Sequence, residues 1–219
     1  MPITVRVAPL WLAATNCWVV AAEPGGPAVI IDAPPDLPGI VELVRRSGAT
    51  PAALLLTHAH LDHIGAAGGV AAEYGIGAYL HPGDGWLAED LGAQVRMLMG
   101  FEYPGESYAG AERYQPLADG ELLDVAGLRF RVLHTPGHTP GHCCFWLEEQ
   151  GVLFSGDHLF AGSIGRTDLP GGDYGALMRS MAERVVPLPP ETHVLPGHGP
   201  ATTLARELVS NPFLQALHS

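Results

Sequence analysis

Thr57-His58-Ala59-His60-Leu61-Asp62-His63 is the stretch that decides the fold. It sets three imidazoles and a carboxylate among six consecutive residues, directly after the apolar run Ala52-Ala53-Leu54-Leu55-Leu56. Imidazole and carboxylate together suit zinc, iron or manganese, and no thiolate lies nearby. An apolar run that stops at such a cluster reads as a buried strand delivering ligands from its C-terminal end. Open α/β sheets place their chemistry at that end.

Working outward, three further stretches follow the same order of apolar strand, tight turn and polar side chain. Thr135-Pro136-Gly137-His138-Thr139-Pro140-Gly141-His142 presents His138, Phe154-Ser155-Gly156-Asp157 ends on a carboxylate, and Leu195-Pro196-Gly197-His198-Gly199 ends on a histidine. Upstream, residues 3–10, 17–22 and 28–32 read as strands, with a turn at Thr15-Asn16. A helix capped by Asp36 carries Ile40, Leu43 and Val44 and stops at Gly48. Residues 64–74 read as a second helix. Residues 121–125, 128–133, 142–147, 152–155 and 192–195 read as strands. Asp173 caps a helix carrying Leu177, Met178 and Met181, and residues 204–209 form a last helix ended by Asn211-Pro212.

The chain of 219 residues is long enough for a substantial core and shows no linker or charge block, so residues 1–219 are expected to be one α/β domain. The formal charge of −12 argues against a nucleic-acid backbone as partner, which needs a basic stripe. It sits comfortably with bound cations. Cys17, Cys143 and Cys144 make a poor disulfide framework. They read as small buried hydrophobes facing opposite ways on a strand at 143 and 144. No apolar run is long enough to span a bilayer, and a cytoplasmic location is the expectation.

The ordered set THAHLDH, TPGHTPGH, FSGD and LPGHG, spread over residues 57–199, resembles the metallo-β-lactamase superfamily. The resemblance implies an αββα sandwich of two mixed β-sheets flanked by helices, with two divalent metal ions, zinc first and iron or manganese next, at the sheet edge. By position, His58, His60 and His138 would hold one ion, Asp62, His63 and His198 the other, and Asp157 would bridge them. The intact Asp62-His63 pair points away from the classical zinc β-lactamases, and His60 stands where diiron electron-transfer relatives have glutamate. Gly156-Asp157-His158-Leu159-Phe160, the segment from Gly165 to Asp173, and Asn211-Pro212-Phe213-Leu214 look like single-domain type II glyoxalases and their YcbL-type relatives, thioesterases that act on S-lactoylglutathione. Two features depart from full-length type II glyoxalases. The helical C-terminal domain that touches glutathione has no counterpart, and Gly199-Pro200 stands where a tyrosine is common. His158 replaces the usual threonine.

The implied activity is hydrolysis of a small-molecule thioester, with Asp62 both holding metal and orienting the attacking water. Arg166 is the candidate for a substrate carboxylate, with an ion pair to Asp168 or Asp173 as the other reading. The rival from the same superfamily is a mononuclear-iron persulfide dioxygenase. His142 and His134 read as supports of the cluster rather than ligands, and Trp11 and Trp18 as core. Residues 84–108, with Met97, Met99 and Phe101, read either as a packed surface helix or as an apolar lid over the metal pocket.

Overall fold

The structure, a computed structural model, describes residues 3–100 and 108–218. Two six-stranded mixed sheets form its centre. The first runs β1 (Thr4–Leu10), β2 (Thr15–Ala21), β3 (Pro27–Ile31), β4 (Thr50–Leu55), β5 (Gly77–Leu80) and β6 (Tyr114–Pro116) in that spatial order. Its first three strands are antiparallel, and β3 to β6 are parallel. The second sheet contains β7 (Leu122–Val125), β8 (Leu128–His134), β9 (Cys143–Leu147) and β10 (Val152–Gly156). After the small hairpin of β11 (Leu159–Phe160) and β12 (Ser163–Ile164), it is completed by β13 (His193–Pro196) and β14 (Thr202–Thr203), in the order β14-β13-β10-β9-β8-β7.

Side-chain alternation sorts each strand between layers. On β2, Cys17, Val19 and Ala21 face the helices, while Trp18 and Val20 face the second sheet. On β9, Cys143, Phe145 and Leu147 point between the sheets and Cys144 and Trp146 point outward. The inter-sheet core joins Val20, Val29, Ile31 and Leu55 to Phe130, Phe145 and Phe154. These three phenylalanines are wholly buried, and truncating one to alanine costs about 3–5 kcal/mol.

Helices α1 (Leu37–Ser47), α2 (Leu61–Ile64), α3 (Ala67–Tyr74), α4 (Gly85–Glu89) and α5 (Leu91–Met99) cover the first sheet. Helices α6 (Tyr174–Ser180), α7 (Leu204–Ser210) and α8 (Pro212–Gln215) cover the second. The result is the expected αββα sandwich. Among the described residues, no helix is long and apolar enough to cross a membrane.

Several local expectations need correction. The single helix over 64–74 is two, because Gly65 closes on Leu61 O and Ala66 N turns aside to Ala33 O. The turn is not at Thr15-Asn16 but at 11–14, where Trp11 and Ala14 take left-handed φ of 60° and 53°. Thr15 and Asn16 belong to β2 and are buried. Trp18 is core, whereas Trp11 is only partly buried. Asn211 does not merely end a helix. Its side chain caps α8 by accepting from Phe213 N. Residues 85–99 form two helices rather than one, and Phe101, Pro104 and Gly105 lie outside the described residues.

Candidate metal centre

Strand ends of both sheets bring the cluster together. His58 and His60 follow β4, His138 lies in the β8–β9 loop, Asp157 follows β10 and His198 follows β13. The short α2 carries Asp62 and His63. His58, His60 and His138 form one group whose inward ring nitrogens nearly touch. His60 Nδ1 lies 2.9 Å from His138 Nε2, which lies 3.2 Å from His58 Nε2. Asp62, His63 and His198 form a second group, with His198 Nε2 3.2 Å from Asp62 Oδ2 and 3.3 Å from His63 Nε2. Asp157 lies between them. Its Oδ2 is 3.6 Å from His138 Nε2 and 3.4 Å from His198 Nε2, and its Oδ1 is 3.4 Å from His63 Nε2.

Outer partners fix which nitrogen faces inward. His63 Nδ1 meets Asp32 Oδ2 at 2.8 Å, His138 Nδ1 meets Arg166 O at 2.7 Å, and His198 Nδ1 meets Ala13 O at 3.2 Å. His58 Nδ1 lies 3.0 Å from the Thr57 hydroxyl, which itself donates to Asp32. Each of these Nδ1 atoms faces an acceptor and so carries a proton, which leaves Nε2 as the nitrogen available to a cation. Lone pairs at about 3 Å repel unless a cation lies among them. Asp157 Oδ1 is buried with no hydrogen-bond partner among the described residues. The donor set therefore fits divalent metal ions.

Electrostatics divides the groups. Burial, reinforced by the neighbouring imidazoles, pushes His58 well below its ordinary value, and burial with His138 takes His60 down to about 3. These two rings are neutral and ready to ligate. Burial also acts to lower His63, but the carboxylates of Asp62, Asp157 and Asp32 outweigh it and raise that ring. Burial likewise works against ionising Asp62 and Asp157, yet the histidines around them hold both carboxyls below the usual range. The first group is thus neutral imidazole, whereas the second sets the Asp62 carboxylate against two rings whose pKa is raised.

The surrounding supports were mostly not singled out from sequence. Asp32, at φ 62°, accepts from Thr57 N and the Thr57 hydroxyl as well as His63. Thr15 donates to Asp62 Oδ2 at 2.8 Å. Asn16 donates to Pro196 O and Gly199 O, and Asn16 N to Gly197 O, so β2 pins the His198 turn. Gly197 is required there, since a Cβ would come within 2.3 Å of Asp157 Oδ1. The fully buried Glu207 accepts from Gly162 N, the Thr202 hydroxyl and Asn211, holding the β11–β12 hairpin whose Phe160 stands edge-on to His198. A polar residue inside or at the end of an apolar run was the available signal for Asp32, Thr15 and Asn16.

His142 lies outside the ligand groups. It accepts from Asp157 N and pairs with the Thr135 hydroxyl. His134 meets Pro140 O and stacks on His81. His158 is fully buried and stacks on His142, and neither ring nitrogen has a hydrogen-bond partner among the described residues. Arg166 pairs with Asp168 through two contacts of 2.7 Å, both side chains exposed, and its carbonyl is what touches the cluster.

Comparison with known proteins agrees with this picture. The hydroxyacylglutathione hydrolase GloC of Haemophilus influenzae is 35% identical, covering 98% of this chain and 99% of its own. Among solved structures, TTHA1623 in a di-iron-bound form is 42% identical with a TM-score of 0.82, covering 95% and 99% of the two chains. BLEG-1, a B3 metallo-beta-lactamase, is 39% identical with a TM-score of 0.87, covering 96% and 99%. The family model of the metallo-beta-lactamase superfamily matches residues 10–198. It spans both sheets from the end of β1 to His198, the last of the seven converging side chains, and the chain belongs to that superfamily.

Proposed function

We propose that this protein is a hydrolase with a binuclear metal centre that cleaves thioesters of the S-lactoylglutathione kind. The observation that carries the reading is the meeting of two ligand groups on one carboxylate, Asp157. His58, His60 and His138 would hold one ion, and Asp62, His63 and His198 the other, with Asp157 shared. Zinc fits the imidazole-rich first group, and the likeness to TTHA1623 keeps iron as the second choice. Bound there, such a pair of ions supplies a hydroxide nucleophile at neutral pH and polarises the carbonyl under attack.

The protein's own groups aim the reaction. Asp62 is fixed through Oδ2 by Thr15, which leaves Oδ1 to accept from the attacking water and orient it. A thiol with a pKa of about 8.5 leaves without needing a strong acid. That suits a cluster in which every histidine is committed to ligation or support. Arg166 would bind a substrate carboxylate by exchanging Asp168 for it, since both offer the same two-pronged geometry. The likeness to GloC supports the choice of thioester.

The test is elemental analysis of the purified protein followed by a substrate panel. Two ions per chain with thiol release from an acyl-thiol is the expected result. Full metal occupancy without turnover of any acyl-thiol would reject thioester hydrolysis. One iron with oxygen uptake on glutathione persulfide would instead assign the dioxygenase reaction. Ring opening of a β-lactam, included because of the likeness to BLEG-1, would assign lactam hydrolysis.

A further inference from the structure

The peptide of Ala59, the residue between His58 and His60, is gripped at both ends by side chains from the helical segment 84–99. Ala59 N donates to Asp84 Oδ2 at 3.0 Å, and Ala59 O accepts from Gln94 Nε2 at 2.9 Å. Gln94 also accepts from Leu61 N, at the start of α2, and donates to Leu87 O on α4. Asp84 reaches the other ligand loop too. Its Oδ2 accepts from the Thr139 hydroxyl at 2.7 Å and its Oδ1 from Gly141 N at 2.6 Å. Both side chains are buried, Asp84 completely and Gln94 to 6% exposure. Gly141 permits the approach, because a Cβ there would stand 2.6 Å from Asp84 N.

We propose that Asp84 and Gln94 are positioning residues for the first metal position, Asp84 tying the His58–His60 loop to the His138 loop and Gln94 fixing the peptide between the two histidines. The physical reason lies in the spacing of the ligands. His58 and His60 face the same ion from either side of one peptide pair, so a rotation of the Ala59 peptide moves both nitrogens. His138 comes from the other sheet, and Asp84 is the side chain that accepts from both loops at once. The segment read either as a packed surface helix or as a lid therefore acts, through these two residues, as a brace. The inference rests on the proposed metal centre but on no choice of substrate.

Zinc alone is the probe. The full-length chain is stripped with chelator, and zinc binding is measured by competition with a chromophoric chelator for Asp84→Asn, Gln94→Leu, Thr139→Val and Thr139→Ser. Asparagine offers one oxygen where Asp84 uses two, and it sets an amide N–H against a donor. Partners that orient metal ligands are worth 10- to 100-fold in affinity. Asp84→Asn and Gln94→Leu are expected to bind the first zinc about 10- to 100-fold more weakly. Thr139→Val should follow in the same direction, and Thr139→Ser, which keeps the hydroxyl, should match the parent. The cobalt-substituted forms of the weakened variants should show an altered visible spectrum, which a general loss of stability does not produce.

Folded variants that bind both zinc ions with parental affinity and an unchanged cobalt spectrum would overturn the inference. Should Asp84→Asn not fold, the Thr139 pair decides alone: equal affinity for valine and serine rejects the brace. A parent chain that binds no zinc would overturn the metal centre itself, a failure separate from this one.

Discussion

Asp32 Oδ2 lies 2.8 Å from His63 Nδ1, and both side chains are sealed from solvent. The same carboxylate accepts from Thr57 N and the Thr57 hydroxyl, so one residue at the end of β3 orients the second ligand group and anchors the residue before His58. Asp32→Asn tests this without disturbing the left-handed backbone, which asparagine tolerates. Three donors then compete for a single oxygen. Zinc affinity, read by chelator competition, is expected to fall about 10- to 100-fold, with the secondary structure unchanged by circular dichroism.

Removing metal should weaken the fold. The seven side chains proposed as ligands converge on one spot at the ends of both sheets, and without cations their lone pairs and carboxylates face each other. An ion at 100 times its dissociation constant adds about 2.7 kcal/mol per site, or about 5–10 °C in Tm for a chain of this length. Calorimetry of the stripped and reloaded protein measures it, and an unchanged Tm would count against ligation by these residues.

The stripped protein should also be acid-labile. Burial is the first cause of lowered pKa values at His58, His60, His142 and His158, with His60 and His158 near 3. The unfolded chain binds a proton at each near pH 6.5, whereas the folded chain does not. Stability therefore falls as pH drops from about 6.5 towards 3, by about 1.4 kcal/mol per pH unit for each ring that titrates. His63 and His198, which are raised, are protonated in both states below 6.5 and add no slope there. Asp84, raised by burial, opposes the trend from the ordinary carboxylate range upward with one proton against four. Urea denaturation of the stripped protein at stepped pH gives the slope, and a flat profile between pH 4 and 6.5 would contradict it.

His142 and His158 stack on one another but differ in what they hold. His142→Leu would strand Asp157 N and leave the Thr135 hydroxyl only Cys144 Sγ at 3.4 Å, and should lose about 1–3 kcal/mol for the buried amide left unpaired. His158→Leu removes two nitrogens that have no partner among the described residues and should leave stability within about 1 kcal/mol of the parent, or raise it. Denaturant midpoints for the two variants decide between them.

Arg166→Ala should raise KM for thioesters that carry a carboxylate and leave KM for neutral ones unchanged. Steady-state kinetics on a matched acidic and neutral pair reads it. An unchanged KM on both would mean that the guanidinium serves Asp168 alone and that the contribution to the site is the carbonyl at His138.

The strands carrying the apolar runs were legible because burial on both faces leaves a continuous signal. That is why 17–22, 28–32 and 142–147 are recovered to within two residues. β5 and β6 were missed, being only four and three residues long. All seven expected metal-binding side chains meet in space, since each ends or follows an apolar stretch at a Pro/Gly turn or opens a helix. The supports were harder to read. Asp84 and Gln94 reach the cluster from helices with no marker of their own, and Glu207 sits in an ordinary amphipathic helix. Their roles exist only through partners distant in the chain, which periodicity cannot report. Arg166 is the opposite case, where a charged side chain drew attention and the backbone atom makes the contact.

The turn between β1 and β2 supplies Ala13 O to His198, and Thr15 just beyond it supplies a hydroxyl to Asp62. The opening hairpin thus waits for one of the last strands. During synthesis the second ion position cannot close until His198, 185 residues beyond Ala13, has left the ribosome. Such a distant pairing is also slow to form. Cation capture there is expected to follow the docking of these two distant segments, drawing on whatever ions are available in the compartment where folding ends.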